Sequence, residues 1–182
     1  MIIKERRMAI AREIIMAHYI SYYESPLGKI SIVSDENYLN ALRFTDDKSP
    51  SSFEKCIDFD TPAIISAKHW LNCYFQGKEL PNPPPIRIQS TTFQKEVYEA
   101  VLSIPYGETR SYLDISNIIA KKRSLVSISS QAVGNALKHN PLLLLIPCHR
   151  VIGKDGSLVG YSAGLSRKAR LLENEKDFIS KM

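Results

Sequence analysis

Cys148 and His149 stand side by side in the run Ile146-Pro147-Cys148-His149-Arg150-Val151-Ile152, between a stretch of leucines and a glycine turn. Sulfur attacks as thiolate, and a thiolate near neutral pH needs a cationic neighbour, a base or a helix N-terminus. Here an imidazole and a guanidinium follow the sulfur at once. Taken alone, the pair suits a cysteine hydrolase, a group transfer onto sulfur, or a histidine with only a packing role. The hydrolase fits poorly, because no oxyanion-type motif accompanies the pair elsewhere. The remaining cysteines, Cys56 and Cys73, are too few and too scattered for a disulfide framework or a Cys-x-x-Cys zinc site. His18, His69, His139 and His149 show no metal-ligand spacing relative to them.

Charge is distributed unevenly around this pair. The chain has 182 residues and a net charge of +5. Nine lysines and arginines lie between Lys121 and Leu172 against one acid, Asp155, whereas the remainder carries 15 bases and 18 acids. A basic C-terminal third suits a polyanion, nucleic acid first, although a merely solvated basic face satisfies the count equally. No stretch has the length of a membrane span. Residues 1–18 are charged, with short apolar runs that do not read as a secretory signal. An intracellular, cytoplasmic protein is expected.

The elements that must position the pair are legible in outline. Residues 4–17 could form a short amphipathic helix, and residues 1–18 are read as an N-terminal extension. Tyr19–Ser25, Ile30–Ser34 and Leu39–Phe44 alternate as strands, with a tight turn at Pro26-Leu27-Gly28-Lys29. Ala63–Phe75 has helical periodicity and Gly77 closes it. Residues 19–80 are therefore expected to be a small α+β domain with an antiparallel sheet and a helix. Residues 81–90, rich in proline, read as a linker. Residues 91–182 are expected to be mainly helical: a helix capped by Thr91 or Thr92, a second from Tyr112 to Ala120 capped by Ser111, and a third over Ser130–Lys138. The last two, with their basic connector, suggest a helix-turn-helix. Leu142–Ile146 reads as a buried strand or extended segment delivering Cys148, and Ser166–Glu175 as a closing helix.

The order of motifs resembles the O6-alkylguanine-DNA alkyltransferase (methylated-DNA–protein-cysteine methyltransferase) family. The resemblance rests on Ser25-Pro26-Leu27-Gly28, Tyr74-Phe75-Gln76-Gly77, Thr92-Phe93-Gln94 and Ile104 to Tyr112. It continues through Ala132-Val133-Gly134, Asn140-Pro141, the Pro-Cys-His-Arg-Val core, Gly160 to Leu165 and Lys168 to Glu175. The resemblance implies a DNA repair protein that moves a methyl or larger alkyl group from guanine O6 to its own cysteine, once per molecule, without metal or cofactor. It implies that Cys148 is the nucleophile, that His149 takes its proton through a bridging water, and that Glu175 orients the histidine. Tyr112 and Lys168 are implied to assist the leaving base and the thiol side of the site. The base pocket is implied to include Asn140, Val151, Tyr161, Ser162 and Gly164, with the carbonyls of Cys148 and Val151 and the amide of Ser162 gripping the base.

The implied partner is double-stranded DNA, bound by a monomer through the minor groove with the target base flipped out of the stack. Ala132, Gly134 and Ala136 offer the small side chains that such an approach needs. The implied DNA face also includes Gln131, Asn135, Lys138, Arg150 and Arg123. The family commonly carries an arginine where this chain has Gln131, and its connector is shorter than Lys121–Ser130. Arg123 lies in the longer segment as the residue that could compensate. A non-catalytic, alkyltransferase-like sensor that binds and flips damaged guanine is the alternative reading, but such relatives replace the cysteine that is present here.

Overall fold

The computed structural model describes residues 17–47 and 55–180. The helix expected over 4–17 and nearly all of the extension over 1–18 lie outside the described residues, and His18 already belongs to the first strand.

Strands β1 (His18–Ser25), β2 (Gly28–Ser34) and β3 (Leu39–Phe44) form an antiparallel meander, as their alternation and turn residues predict. The β1–β2 turn needs Gly28, whose φ is +119°. A short fourth strand, β4 (Cys56–Asp58), adds parallel to β1, so the sheet order is β3-β2-β1-β4. Three residues are too few to leave a period in the sequence, and β4 was not expected. One sheet face carries Ile30, Ile32, Leu42 and Phe44, all buried, and receives helix α1 (Pro62–Phe75). Thr61 caps α1 by accepting from the Ile64 N–H at 3.2 Å. After Gln76, Gly77 at φ +60° ends the helix, with Gly77 N–H donating to the Tyr74 carbonyl and Lys78 N–H to that of Cys73.

The proline-rich segment is not a free spacer. Leu39 N–H donates to the Pro85 carbonyl and Arg87 N–H to the Leu39 carbonyl, both at 2.8 Å, so the linker runs along β3. Beyond it, α2 (Thr92–Leu102) opens with a capping box of Thr91 and Gln94. Ser111 and Asp114 build the same device on α3 (Tyr112–Lys122). Residues 123–129 connect α3 to α4 (Ser130–Lys138), the pair that sits where the helix-turn-helix is expected. A 3-10 turn holds Cys148–Arg150, and α5 (Leu165–Ile179) closes the chain. A two-stranded parallel ladder of β5 (Arg110–Ser111) and β6 (Val151–Ile152) ties the start of α3 to the segment after Cys148.

The fold class is thus α+β: a sheet and helix first, a mainly helical part second. One continuous apolar cluster runs from Ile30 and Leu71 through Val97 and Ile115 to Leu143 and Leu171. Each of these side chains contributes about 1.5–3 kcal/mol by leaving water. The expected strand over Leu142–Ile146 is instead a tight turn, with Leu143 bridged to Ile146 and Leu144 at φ +71°. The run of five apolar residues is buried, but turned back on itself. A β-strand and a buried turn have the same composition when both faces are covered, so the leucines could not distinguish them.

Candidate active site

Asn140, at the end of α4, is fully buried and organises the turn that carries the cysteine. Its Nδ2 donates to the Ile146 carbonyl at 2.9 Å and to Cys148 Sγ at 3.2 Å, while its Oδ1 accepts from the Leu142 N–H at 3.0 Å. A carboxamide does this well, since donor and acceptor sit on one rigid plane. Cys148 is almost wholly buried, and burial pushes its thiol up to about 11 against the opposing pull of Asn140 and the Lys168 charge. At rest the sulfur is therefore a neutral thiol, not the thiolate its neighbours in sequence suggest.

His149 points the other way, into α5. Its Nε2 lies 2.7 Å from Glu175 Oε1, and both side chains have no exposure. A nitrogen so close to a carboxylate carries the hydrogen, which leaves Nδ1 as the acceptor. Nδ1 is buried without a hydrogen-bond partner among the described residues. Burial holds His149 below its ordinary value and hence neutral. Burial alone would raise Glu175, but the bond from His149 and the Arg150 guanidinium outweigh it and hold the carboxyl down to about 2.

Arg150, expected on the DNA face, is turned inward instead. Its Nε donates to Glu175 Oε2 at 2.8 Å, one terminal nitrogen to Oε1 at 3.1 Å, and the other to the Ile104 carbonyl at 2.8 Å. It is 8% exposed and its plane lies over Tyr106. The reason is electrostatic: a buried carboxylate needs a partner that stays charged, and a neutral histidine is not one. The Gly107 N–H adds a further bond to Glu175 Oε2 at 3.0 Å, and the Tyr74 hydroxyl donates to Oε1 at 2.8 Å. The sequence reading assigned no site role to Tyr74 or Gly107. Tyr74 was visible as the first residue of the Tyr74-Phe75-Gln76-Gly77 motif and as part of the periodic face of α1, neither of which marked a partner for its hydroxyl.

Lys168 is fully buried, and its Nζ donates to the carbonyls of Val151 at 2.6 Å and Val159 at 2.5 Å. Burial pushes its ammonium down to about 8. The Val151 carbonyl, expected to grip a base, is thus already engaged through one lone pair. Tyr112, the first residue of α3, directs its hydroxyl to the carbonyls of Val159 and Gly160, both at 3.2 Å, and burial raises it to about 12. Tyr161 is buried with its ring edge-on to His149 and its hydroxyl unpartnered among the described residues.

A cleft of about 940 Å³ opens beside these residues. Tyr112, Val159, Gly160, Tyr161 and Ser162 line one side, and Gln131, Ala132, Gly134, Asn135 and Lys138 the other. The structure therefore gathers most of the expected base-pocket and DNA-face residues around one opening. Gly164 lies outside it, as the exposed residue ahead of α5 at φ +95°. Ala136 faces the core, where its carbonyl accepts from the Tyr98 hydroxyl, so only Ala132 and Gly134 offer a small-residue face to the cleft. Arg123 also stands apart. It pairs with Glu96 at 2.7 Å and covers the Phe93 ring, because its place at the end of α3 puts α2 within reach.

Known proteins resemble this chain over most of its length. Residues 92–177 match the family described as 6-O-methylguanine DNA methyltransferase, DNA binding domain, and residues 18–87 its ribonuclease-like domain. The methylated-DNA–protein-cysteine methyltransferase of Mycobacterium bovis is 38% identical over 164 residues, covering 88% of this chain and 93% of that protein. The constitutive enzyme of that name from Bacillus subtilis is 34% identical over 164 residues, covering 87% of this chain and 96% of its own. The crystal structure of Mycobacterium tuberculosis O6-methylguanine methyltransferase superposes with a TM-score of 0.76 at 36% identity, over 88% of this chain and 93% of that one. The Mycobacterium tuberculosis OGT solved in complex with DNA gives the same score and identity, over 88% and 94%. At this identity over nearly the whole length of its relatives, and with a buried cysteine beside a histidine–carboxylate pair, the chain belongs to the methylated-DNA–protein-cysteine methyltransferase family.

Proposed function

We propose that this protein repairs DNA by transferring the methyl group of O6-methylguanine to Cys148. The observation that carries the reading is the buried Asn140–Cys148 and His149–Glu175–Arg150 network, which meets the 940 Å³ cleft through Tyr161, a lining residue whose ring packs edge-on to His149. A thiol held near 11 needs a base, and His149 Nδ1 is a buried acceptor on a neutral ring. The proton leaves sulfur, crosses a bridging water and arrives on Nδ1. The sulfur lone pair forms the S–C bond as the C–O6 bond breaks, and the bonding pair stays with guanine. Glu175 stabilises the imidazolium, and the Lys168 ammonium lowers the cost of charge on sulfur. Tyr112, whose phenol burial keeps protonated, offers a hydrogen bond to N3 of the departing base, and the thiol proton passes on from the imidazolium through water to neutralise the guanine anion, so that intact guanine leaves. The thioether has no easy leaving route, so each molecule acts once.

A guanine O6 within a duplex cannot reach a buried sulfur, so the nucleotide is extruded from the stack at a cost of a few kcal/mol. We place α4 in the minor groove with Ala132 and Gly134 at the closest approach, and Gln131 and Asn135 beside the extruded base. The protein acts as a monomer in the cytoplasm. Residues 91–182 form the DNA-binding and active-site unit, and residues 19–80 support it across the 81–90 linker. The test is direct. Incubation with a duplex carrying O6-methylguanine is expected to add one methyl mass to the peptide containing Cys148, and Cys148→Ala to abolish the gain while DNA is still bound. An unchanged mass after full exposure would sink the reading.

A further inference from the structure

Glu175 is the most heavily engaged side chain in the described protein, and the partner with the greatest separation along the chain is Tyr74, 101 residues away. Tyr74 sits near the end of α1, 3% exposed, with its hydroxyl 2.8 Å from Glu175 Oε1 and 3.5 Å from His149 Nε2. Its ring is fixed on three sides, stacked on Trp70 at 5.3 Å and edge-on to Phe75 and Tyr106 at 5.2 and 5.9 Å. Such a ring has no rotamer freedom left to lose, so the hydroxyl meets the carboxylate already oriented.

We propose that Tyr74 is a positioning residue of the transfer reaction, through which α1 sets the acceptor strength and orientation of His149. The proposal rests on the reading of Cys148 as methyl acceptor. Glu175 Oε1 receives the Tyr74 hydroxyl, His149 Nε2 and one Arg150 nitrogen, while Oε2 receives Arg150 and the Gly107 N–H. Every donor on Oε1 spreads the negative charge that would otherwise act on the imidazole. The Tyr74 hydroxyl thereby restrains the basicity of His149, so that the ring stays neutral and ready to accept the thiol proton. The other charged or titratable groups facing the pair are Arg150 from the 3-10 turn, Lys168 from α5, Cys148, Tyr106 and Tyr161. Asp47, which follows the third strand, acts on Cys148 and Tyr161, and of the groups bonded to Glu175 only Tyr74 comes from the sheet-and-helix part of the chain.

The experiment compares the full-length wild type with Tyr74→Phe and with 2,3-difluorotyrosine at position 74. Single-turnover transfer from an O6-methylguanine duplex is followed against pH, alongside an NMR titration of His149. Tyr74→Phe is expected to slow transfer about tenfold near neutral pH, the loss of one hydrogen bond to a charged group, and to move the acid limb and the His149 titration to higher pH. The fluorinated ring keeps the shape and donates more strongly, so both are expected to move to lower pH. Equal rates and unmoved titrations would overturn the proposal, as would a slower Phe variant whose acid limb does not move, since that reports packing alone. Failure of the wild type to methylate Cys148 would remove the proposed function, while the His149 titrations would still decide for or against Tyr74.

Discussion

At the scale of single residues the site is governed by one buried carboxylate. Glu175 neutralises Arg150, orients His149 and accepts from Gly107 and Tyr74. Glu175→Gln leaves the Arg150 guanidinium buried without its counter-charge, and a loss of roughly 3–5 kcal/mol of stability is expected in urea unfolding. The wild type has a matching pH dependence. Glu175 is held below its ordinary 4.5, so its contribution is complete above that value and is lost as pH falls toward 2. His149 is held low by burial, so the folded state resists the proton that the unfolded chain accepts below about 6.5. Stability is therefore expected to fall in two stages on acidification. His149→Gln should remove the first stage and Glu175→Gln the second, and unfolding curves at pH 7, 5.5 and 3.5 separate them.

Among the elements, the approach of α3, α4 and the 159–164 loop determines the cleft. Gly134 sits on α4 where an added Cβ would meet the Tyr112 ring at an ordinary 3.6 Å. Gly134→Ala is expected to raise stability by about 0.5–1 kcal/mol, because alanine restrains the unfolded chain and favours the helix. Gly134→Leu should fold yet lose DNA affinity, as its side chain occupies the cleft that alanine leaves open. Gly160 has no such latitude: φ is +62°, and a Cβ would stand 2.6 Å from the Tyr112 hydroxyl. Gly160→Ala is expected to displace Tyr112 and to slow transfer even where DNA binding is retained. Arg167 links the same loop to the sheet. It donates to the Ala163 carbonyl at 3.1 Å and the Leu27 carbonyl at 2.8 Å, and pairs with Asp46 at 2.8 Å.

For the whole molecule the surprise is how few of the basic residues remain available to a polyanion. Of the nine between Lys121 and Leu172, Lys168 and Arg150 are buried, and Lys122, Arg123, Arg167 and Arg170 lie in ion pairs. Lys121, Lys138 and Lys154 remain, and Lys138 lines the cleft. The logarithmic salt dependence of binding to undamaged duplex is expected to have a slope of about −3, from three phosphate contacts. A slope of about −6 would show that the four surface pairs open to release their cations to DNA. No described helix is long and apolar enough to cross a membrane.

Much of this was written in the sequence because it depends on neighbours along the chain. The cap at Thr91 or Thr92, the cap at Ser111, the glycine after α1, the strand alternation of β1 to β3 and the Cys-His pair all act within a few residues, where residue type goes far to decide them. Asn140 was marked only through the family resemblance, eight residues before the cysteine it supports. What the tertiary structure decided was charge and direction. Arg150 follows Cys148 and His149 directly, yet it faces away from the cleft because Glu175, 25 residues later, is the only way to bury either charge. The sulfur is a neutral thiol because water is excluded, and exclusion is a property of the packed whole. Tyr74 entered the site because the fold brings the end of α1 to Glu175 on α5, a placement that its sequence motif did not disclose. Types and spacing determined which atoms could react; desolvation and long-range pairing determined which of them hold a proton before the reaction starts.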